Sequence, residues 1–147
     1  MPKFRIITVG KPKLAYAKLG AEEYLGRLKH MLPVEWKTVK AGAQKDEGEQ
    51  LLKASEGWHR VVLDERGRSW GSRELASILE DWDMNAVKEV AILIGGAEGH
   101  GPALKAKADV LWSLGKATLQ HELALVVLLE QLYRAQTIRR GEPYHRD

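Results

Sequence analysis

The hydrophobic and polar positions of the chain form two alternating kinds of segment. Short stretches that are apolar or that alternate predict five β-strands, over residues 4–10, 34–39, 60–64, 90–94 and 109–114. Apolar residues at spacings of three and four predict helices over 14–30, 72–82 and 121–140. The alternation predicts an α/β fold: a single domain over residues 1–147, with a mainly parallel sheet covered by helices on both faces.

Two segments are apolar enough to predict the interior of that domain. VAILI (90–94) is a continuous apolar run, which is typical of a central strand buried on both faces. Residues 123–129 are apolar all round the predicted last helix, so we expect this part of the helix to be buried.

The connecting segments are polar and rich in glycine. The segment 41–49 predicts a loop that leads into a short helix around 50–55, and ERGRSWGS (65–72) predicts a turn. Ser72 and His121 each stand where the N-cap of a following helix is expected, and a polar side chain there can accept a free backbone N–H.

The composition excludes several classes of protein and several kinds of site. The chain is 44% hydrophobic and 29% charged, which are globular proportions. It has no cysteine, which excludes disulfides, Cys-ligated metal and a cysteine nucleophile, and which fits a reducing compartment. No apolar run reaches the length of a membrane span, and the first ten residues do not form a signal peptide. We therefore expect a cytoplasmic protein without a membrane partner and without a bound metal.

The charge is unevenly distributed. Residues 1–41 contain nine Lys and Arg against three Glu, whereas the rest of the chain has a slight acidic excess. A local basic excess favours a polyanionic partner such as RNA, although a solvated lysine-rich surface would give the same pattern.

A glycine-rich segment, ILIGGAEGHGP (92–102), follows the predicted central strand. Ligands of parallel sheets bind beyond the carboxyl ends of the strands, and glycines let the backbone approach a ligand closely. The glycine order is not that of a dinucleotide-binding fingerprint, and the chain has no phosphate-binding P-loop, so NAD and ATP are disfavoured. A merely flexible loop is the alternative.

A second loop, LGKATLQHE (114–122), also follows a strand and precedes a helix. If the two strands are neighbours in the sheet, the two loops would together form one ligand cleft. Beyond the last helix, Tyr144, His145 and Arg146 offer a stacking ring, a titratable group and a phosphate partner. A plain connection and a frayed terminus are the alternatives for these two segments. Glu130 and Arg134, four residues apart, are expected to form an ion pair along the helix.

Five segments taken together are more specific for one protein family than any one of them alone. VVLDERGRSW (61–70), ILIGGAEGHGP, LWSLGKATLQH (111–121), LEQLYRAQTI (129–138) and GEPYHRD (141–147) occur in this order. Together they resemble the SPOUT-class methyltransferases that modify N3 of a pseudouridine in 23S ribosomal RNA. The resemblance covers essentially the whole chain, and its specificity lies in the five ordered motifs.

This resemblance implies a fold, a cofactor and a partner. The family binds S-adenosylmethionine in a C-terminal trefoil knot, acts on the large ribosomal subunit or the 70S ribosome, and works as a homodimer. Its cofactor contacts carry over to one strand end, one glycine and one continuous loop: Leu63, Gly96, Leu114, Gly115, Lys116, Ala117, Thr118 and Leu119. In the tail, His145 is the expected base, Tyr144 the stacking ring and Arg146 the phosphate or orienting contact.

The chain departs from the family pattern after its motif histidine, His121. Relatives usually have Pro next and Arg three positions later, where this chain has Glu122 and Leu125. Two other functions fit the same residues: a SPOUT enzyme that methylates a ribose 2′-hydroxyl, and a ribosome- or RNA-binding module without activity.

Overall fold

The computed structural model describes residues 1–146. Five strands form one parallel sheet in the order β2-β1-β4-β3-β5. The strands are β1 (Lys3–Val9), β2 (Val34–Val39), β3 (His59–Ser69), β4 (Glu89–Ile94) and β5 (Val110–Ser113). The helices are α1 (Ala15–Lys29), α2 (Gln44–Ala54), α3 (Ser72–Met84), α4 (Pro102–Ala106) and α5 (His121–Arg140). The predicted α/β class and the parallel sheet are confirmed.

The helices cover both faces of the sheet. Side chains that alternate along each strand divide the core into two buried clusters, so Ile92 of β4 packs with α1, α3 and α5, and Leu93 packs with α2 and α4. β4 is the middle strand, and residues 90–94 are all buried, as the continuous apolar run predicted. Within residues 1–146, no helix combines the length and the apolarity that crossing a bilayer requires.

The segment predicted as a turn after residue 64 continues β3 as far as Ser69. Leu63 and Arg68 both lie opposite Trp112 of β5, so the four residues between them leave the ladder as a bulge. Gly67 allows the strand to return, because a Cβ at this position would lie 2.5 Å from the backbone of Leu111. The bulge is polar and contains a glycine, a composition that predicts a turn, so the strand that follows it is not predicted from the sequence.

The loop predicted over 41–49 is confirmed for residues 41–43 only, because α2 already begins at Gln44. Its first turn contains two acidic residues, which the positive end of a helix dipole stabilises, and one of them, Glu47, accepts the N–H of Gly42 at 3.0 Å. Gly48 lies inside the helix and faces Leu104 of α4, where a Cβ would make an ordinary contact at 4.0 Å. Packing between the two helices outweighs the low helix propensity of glycine.

Both predicted N-caps are displaced by one residue. Gly71 precedes α3, and the Glu74 carboxylate accepts its N–H at 3.1 Å, while the Ser72 hydroxyl donates to Gln131 of α5 at 2.7 Å. Gln120 caps α5 by accepting the N–H groups of residues 122 and 123 at 2.9 and 3.0 Å, which makes His121 the first residue of the helix.

The apolar part of α5 is buried on one side only. Residues 124, 125, 128 and 129 are buried, whereas 123, 126 and 127 are half-buried. The prediction of burial all round the helix is therefore wrong. Gly20 of α1 faces Val126, and a Cβ there would lie 3.0 Å from that side chain, so the two helices approach each other closely.

Candidate functional site

A cavity of about 690 Å³ lies beyond the carboxyl ends of β4 and β5 and beside the bulge of β3. Three segments form most of its wall: residues 63–66, 94–100 and 114–121. Its volume lies within the range of roughly 300–1,000 Å³ that small-molecule and cofactor sites occupy. The location agrees with the rule that ligands of parallel sheets bind at this edge.

The two loops predicted to form one cleft do line the same cavity, but their strands are not neighbours. β3 lies between β4 and β5, and its bulge lines the cavity together with the two loops. The bulge contributes Asp64, Glu65 and Arg66 to the wall, three residues that sequence reasoning missed. They belong to the motif VVLDERGRSW (61–70) of the family resemblance, which was a signal for them, although the polar segment after 64 also fits an ordinary turn.

Seven of the eight predicted cofactor contacts line the cavity, namely Leu63, Gly96, Leu114, Gly115, Ala117, Thr118 and Leu119. Lys116 does not line it, and its side chain is exposed. The loop is thus correctly placed as a whole, while its one basic residue lies outside the wall.

Local hydrogen bonds fix the shape of the loop after β5. The Ser113 hydroxyl accepts the N–H of Gly115 at 3.1 Å and donates to its carbonyl at 2.7 Å. Gly115 has a φ of +142°, which residues with a side chain rarely adopt. Further along, the Thr118 hydroxyl donates to the Glu65 carboxylate and so joins this loop to the bulge of β3.

Charged side chains occupy the part of the wall between the bulge and α4. The Lys105 ammonium lies 3.2 Å from Asp64 Oδ1, and Asp64 Oδ2 accepts the N–H of Arg66 at 3.3 Å. His100 lies nearby and donates its Nε2–H to the carbonyl of Leu93 at 3.3 Å. Burial lowers the pKa of His100, an effect that this hydrogen bond only partly offsets, so the ring is neutral at pH 7.

Tyr144 of the C-terminal tail packs between α1 and α5 of its own chain. Its hydroxyl donates to Glu130 at 2.8 Å and accepts from Tyr24 at 3.2 Å. The Arg134 guanidinium lies 4.8 Å from the centre of the Tyr144 ring. Burial, together with the hydrogen bonds to Tyr24 and Glu130, raises the pKa of Tyr144 well above its ordinary value. The phenol therefore stays protonated at neutral pH and acts as a hydrogen-bond donor.

The predicted ion pair on α5 also holds the tail. Arg134 donates to Glu130 at 2.8 Å and to Nδ1 of His145 at 3.2 Å. Because a guanidinium can only donate, Nδ1 is the acceptor, and a neutral His145 ring carries its proton on Nε2. Burial opposes ionisation of Glu130, but the hydrogen bonds from Arg134 and Tyr144 outweigh it and lower the pKa of this carboxyl.

None of the three predicted catalytic residues lines the cavity of its own chain. Tyr144 and His145 lie against α5, and Arg146 is exposed. The fold therefore does not bring the tail and the cavity together within one protomer.

The two departures from the family pattern have different structural roles. Glu122 Oε1 accepts the backbone N–H groups of Lys13 and Leu14, both at 2.9 Å, and so ties the segment before α1 to the start of α5. Burial opposes its ionisation, but these two hydrogen bonds outweigh that effect and lower the pKa of Glu122. Leu125 is 2% exposed and belongs to the core, so an arginine would not be accommodated there without rearrangement.

A family model described as "Predicted SPOUT methyltransferase" matches residues 2–145 of the chain. The chain belongs to the SPOUT methyltransferase family. Over 144 residues it is 49% identical to "Ribosomal RNA large subunit methyltransferase H" of Thermus thermophilus, with 98% of both chains covered. The protein of the same name from Deinococcus radiodurans is 45% identical, with 98% of this chain and 99% of that one covered.

Solved structures share the fold of this chain. A probable methylase family protein from Haemophilus influenzae Rd KW20 has a TM-score of 0.63 to this chain, at 13% sequence identity. The comparison covers 99% of this chain and 71% of that one. At this identity the likeness shows a shared fold.

SPOUT methyltransferases use S-adenosylmethionine as their methyl donor. The cavity fits this molecule in volume and in the chemistry of its wall. Leucine, alanine and glycine make up half of the lining residues and would suit an adenine ring and an aliphatic stem, and Asp64 and Lys105 offer opposite charges.

Proposed function

We propose that the chain is an S-adenosylmethionine-dependent methyltransferase that methylates N3 of a pseudouridine in 23S ribosomal RNA. The cavity supports the proposal most directly, since it is built from the segments that carry the family resemblance. Full-length identity to relatives named for methylating large-subunit ribosomal RNA supports that substrate class. The choice of N3 of pseudouridine rests on the family resemblance. Action on ribosomes would place the protein in the cytoplasm.

When bound, the donor supplies an electrophilic methyl group. The residues of the chain then have to align the donor with the nucleobase, because positioning accounts for most of the acceleration of such a displacement. Leu63, Gly96 and the loop 114–119 would hold the donor. Of these residues, Lys116 alone does not line the cavity, and its side chain is exposed.

The tail would act on the target base. N3 must lose its proton, and a base with a pKa near neutrality is best suited to accept it. We assign this role to His145, which must first release Arg134, because Nδ1 accepts from Arg134 and Nε2 carries the proton in the present arrangement. Tyr144 would stack on the nucleobase, and Arg146 would contact a phosphate or orient the base.

A second copy of the chain would complete the site. The tail does not line its own cavity, and Leu14, Tyr16 and Leu19, at and near the start of α1, are 42%, 54% and 67% exposed. We propose that a homodimer covers this apolar surface and brings the tail of one protomer to the cavity of the other. The trefoil knot implied by the family resemblance is part of the same proposal.

Mixing two inactive variants tests the shared site. His145→Ala removes the proposed base, and Gly115→Val blocks a backbone conformation that only glycine adopts readily. If the tail acts in the partner's cavity, a mixed dimer has one intact site, so co-expression restores up to half of the activity per dimer. Lack of recovery in a purified mixed dimer would show that the tail acts within its own protomer.

Part of the basic excess in the first 41 residues lies near the cavity. Arg5 and Arg27 form ion pairs with Glu35 and Glu23, whereas Lys11 lines a small pocket that shares Gly95 with the main cavity. We propose that Lys11 and its neighbour Lys13 contact RNA phosphates. Affinity for the substrate should then fall with rising salt, and less steeply in a variant that lacks both lysines.

The decisive experiment is methyl transfer to ribosomes from a strain that lacks this modification. Ribosomes with the pseudouridine should accept the methyl group, and ribosomes that carry uridine at that position should accept little. Mass spectrometry of the nucleoside should locate the added methyl on the base. A methyl on the ribose would instead identify a 2′-O-methyltransferase, and donor binding without transfer to ribosomes or to free 23S RNA would leave a non-catalytic module.

A further inference from the structure

An ion pair in the cavity wall has no role in the function proposed above. Asp64 lies at the start of the β3 bulge, and Lys105 lies on α4, which follows the glycine-rich loop. Their charged groups are 3.2 Å apart, and both residues line the cavity. The pair therefore connects two walls that come from different parts of the sequence.

These two residues differ from the other charged residues of the wall in their burial. Glu65, Arg66 and Glu98 are exposed, whereas the side chains of Asp64 and Lys105 are only 12% and 31% exposed. Partial burial of an ion pair costs desolvation free energy that the attraction between the charges does not reliably recover. A bound ligand with charged groups of its own would interact favourably with both residues and so offset this desolvation cost.

Much of the remaining wall is apolar or backbone. Leu63, Ile94, Leu114 and Leu119 are apolar and four glycines contribute backbone only, whereas the other charged side chains, those of Glu65, Arg66 and Glu98, are exposed. A ligand with one apolar or aromatic end and one zwitterionic end would therefore be oriented with its charges towards Asp64 and Lys105, because burying an unpaired charge against leucine is costly.

We propose that Asp64 and Lys105 bind the amino-acid end of S-adenosylmethionine. The ammonium of Lys105 would bind the α-carboxylate, and the carboxylate of Asp64 would bind the α-ammonium group. The proposal rests on the function proposed above. It makes the pair a specificity determinant that separates the methyl donor and its demethylated product from nucleosides without an amino-acid group.

Calorimetric titration with three ligands tests this assignment. S-adenosylmethionine and S-adenosylhomocysteine carry the amino-acid group, and 5′-methylthioadenosine contains the same nucleoside without it. The double variant Asp64→Asn/Lys105→Met keeps the net charge of the wall, and the asparagine keeps an acceptor for the N–H of Arg66. Lys107→Met is the control, because Lys107 lies just after the same helix, is exposed and does not line the cavity.

We expect the double variant to bind the two amino-acid ligands about tenfold or more weakly, since charge-assisted hydrogen bonds are lost, and to bind 5′-methylthioadenosine as the wild type does. The control should bind all three ligands normally. An equal loss for all three would show that the pair only supports the wall, and no loss would show that it does not contact the ligand. Either result would overturn this inference without affecting the proposed function. A wild-type protein that binds none of the ligands would overturn the proposed function as well.

Discussion

Replacing Gly67 with alanine tests how the β3 bulge is closed. The added Cβ would lie 2.5 Å from the carbonyl carbon and oxygen of Leu111 and 2.7 Å from the nitrogen of Trp112. Real Cβ contacts are essentially never this short, and the obstacle is backbone, so β3 and β5 must separate. Such overpacking costs about 1–3 kcal/mol of the free energy of unfolding.

For a chain of this size that cost should lower the melting temperature by roughly 3–10 °C in scanning calorimetry. Affinity for S-adenosylmethionine should fall as well, because the bulge supplies Asp64, Glu65 and Arg66 to the cavity. Gly26→Ala is the matched control: Gly26 lies in α1 with nothing within 4 Å of the added methyl group. Because alanine has a higher helix propensity than glycine, this variant should have a free energy of unfolding about 0.5–1 kcal/mol above that of the wild type. A Gly67→Ala protein that melts at the wild-type temperature would refute the close approach of the two strands.

Three further predictions concern side chains near the cavity and the tail. Glu122→Ala removes the acceptor for two backbone N–H groups and should lower the free energy of unfolding in urea by about 1.5–3 kcal/mol, whereas Glu122→Gln keeps an acceptor and should lose less. Tyr144→Phe removes the donor to Glu130 and should cost about 1 kcal/mol in the same assay, and an unchanged midpoint would show that the tail does not dock on α5 in solution. Because burial lowers the pKa of His100 in the folded state, the unfolded chain binds the proton first as the pH falls. The protein should therefore be less stable below about pH 6.5 than above it, and His100→Gln should flatten this dependence of stability on pH. If the variant showed the same slope as the wild type, His100 would not be the group responsible.

The elements with strong periodicity were predictable from sequence because burial alone determines them. The apolar run of β4 and the apolar spacings of α1 and α5 identified these elements within one or two residues. The second half of β3 and the first turns of α2 could not be found in this way. Both contain glycine and polar residues, and both are held by contacts distant in sequence, the bulge by Leu111 and α2 by Leu104.

The same distinction applies to the functional site: some of its residues could be predicted from sequence, and others depend on contacts distant in sequence. Glycines that follow a buried strand indicated the loops of the cavity, and the family resemblance identified seven residues of its wall. Lys105 gave no signal, because a lysine on a short helix is ordinarily a solvated surface residue. The position of the tail depends on Tyr24 and Glu130, which only the packing of α1 against α5 brings together.

The strand order has a consequence for the sequence of folding events. β1 and β2, and likewise β3 and β4, are consecutive along the chain and adjacent in the sheet, so each of these pairs can form early. The pairing of β1 with β4 passes over two strands, and that of β3 with β5 passes over β4. Pairings between distant segments form slowly because a long loop must first be closed. We therefore expect these two pairings, the second of which brings the loop after β5 to the cavity, to form last. In refolding from urea, the ability to take up a small molecule should accordingly appear with the slowest kinetic phase, after most of the helical signal has returned.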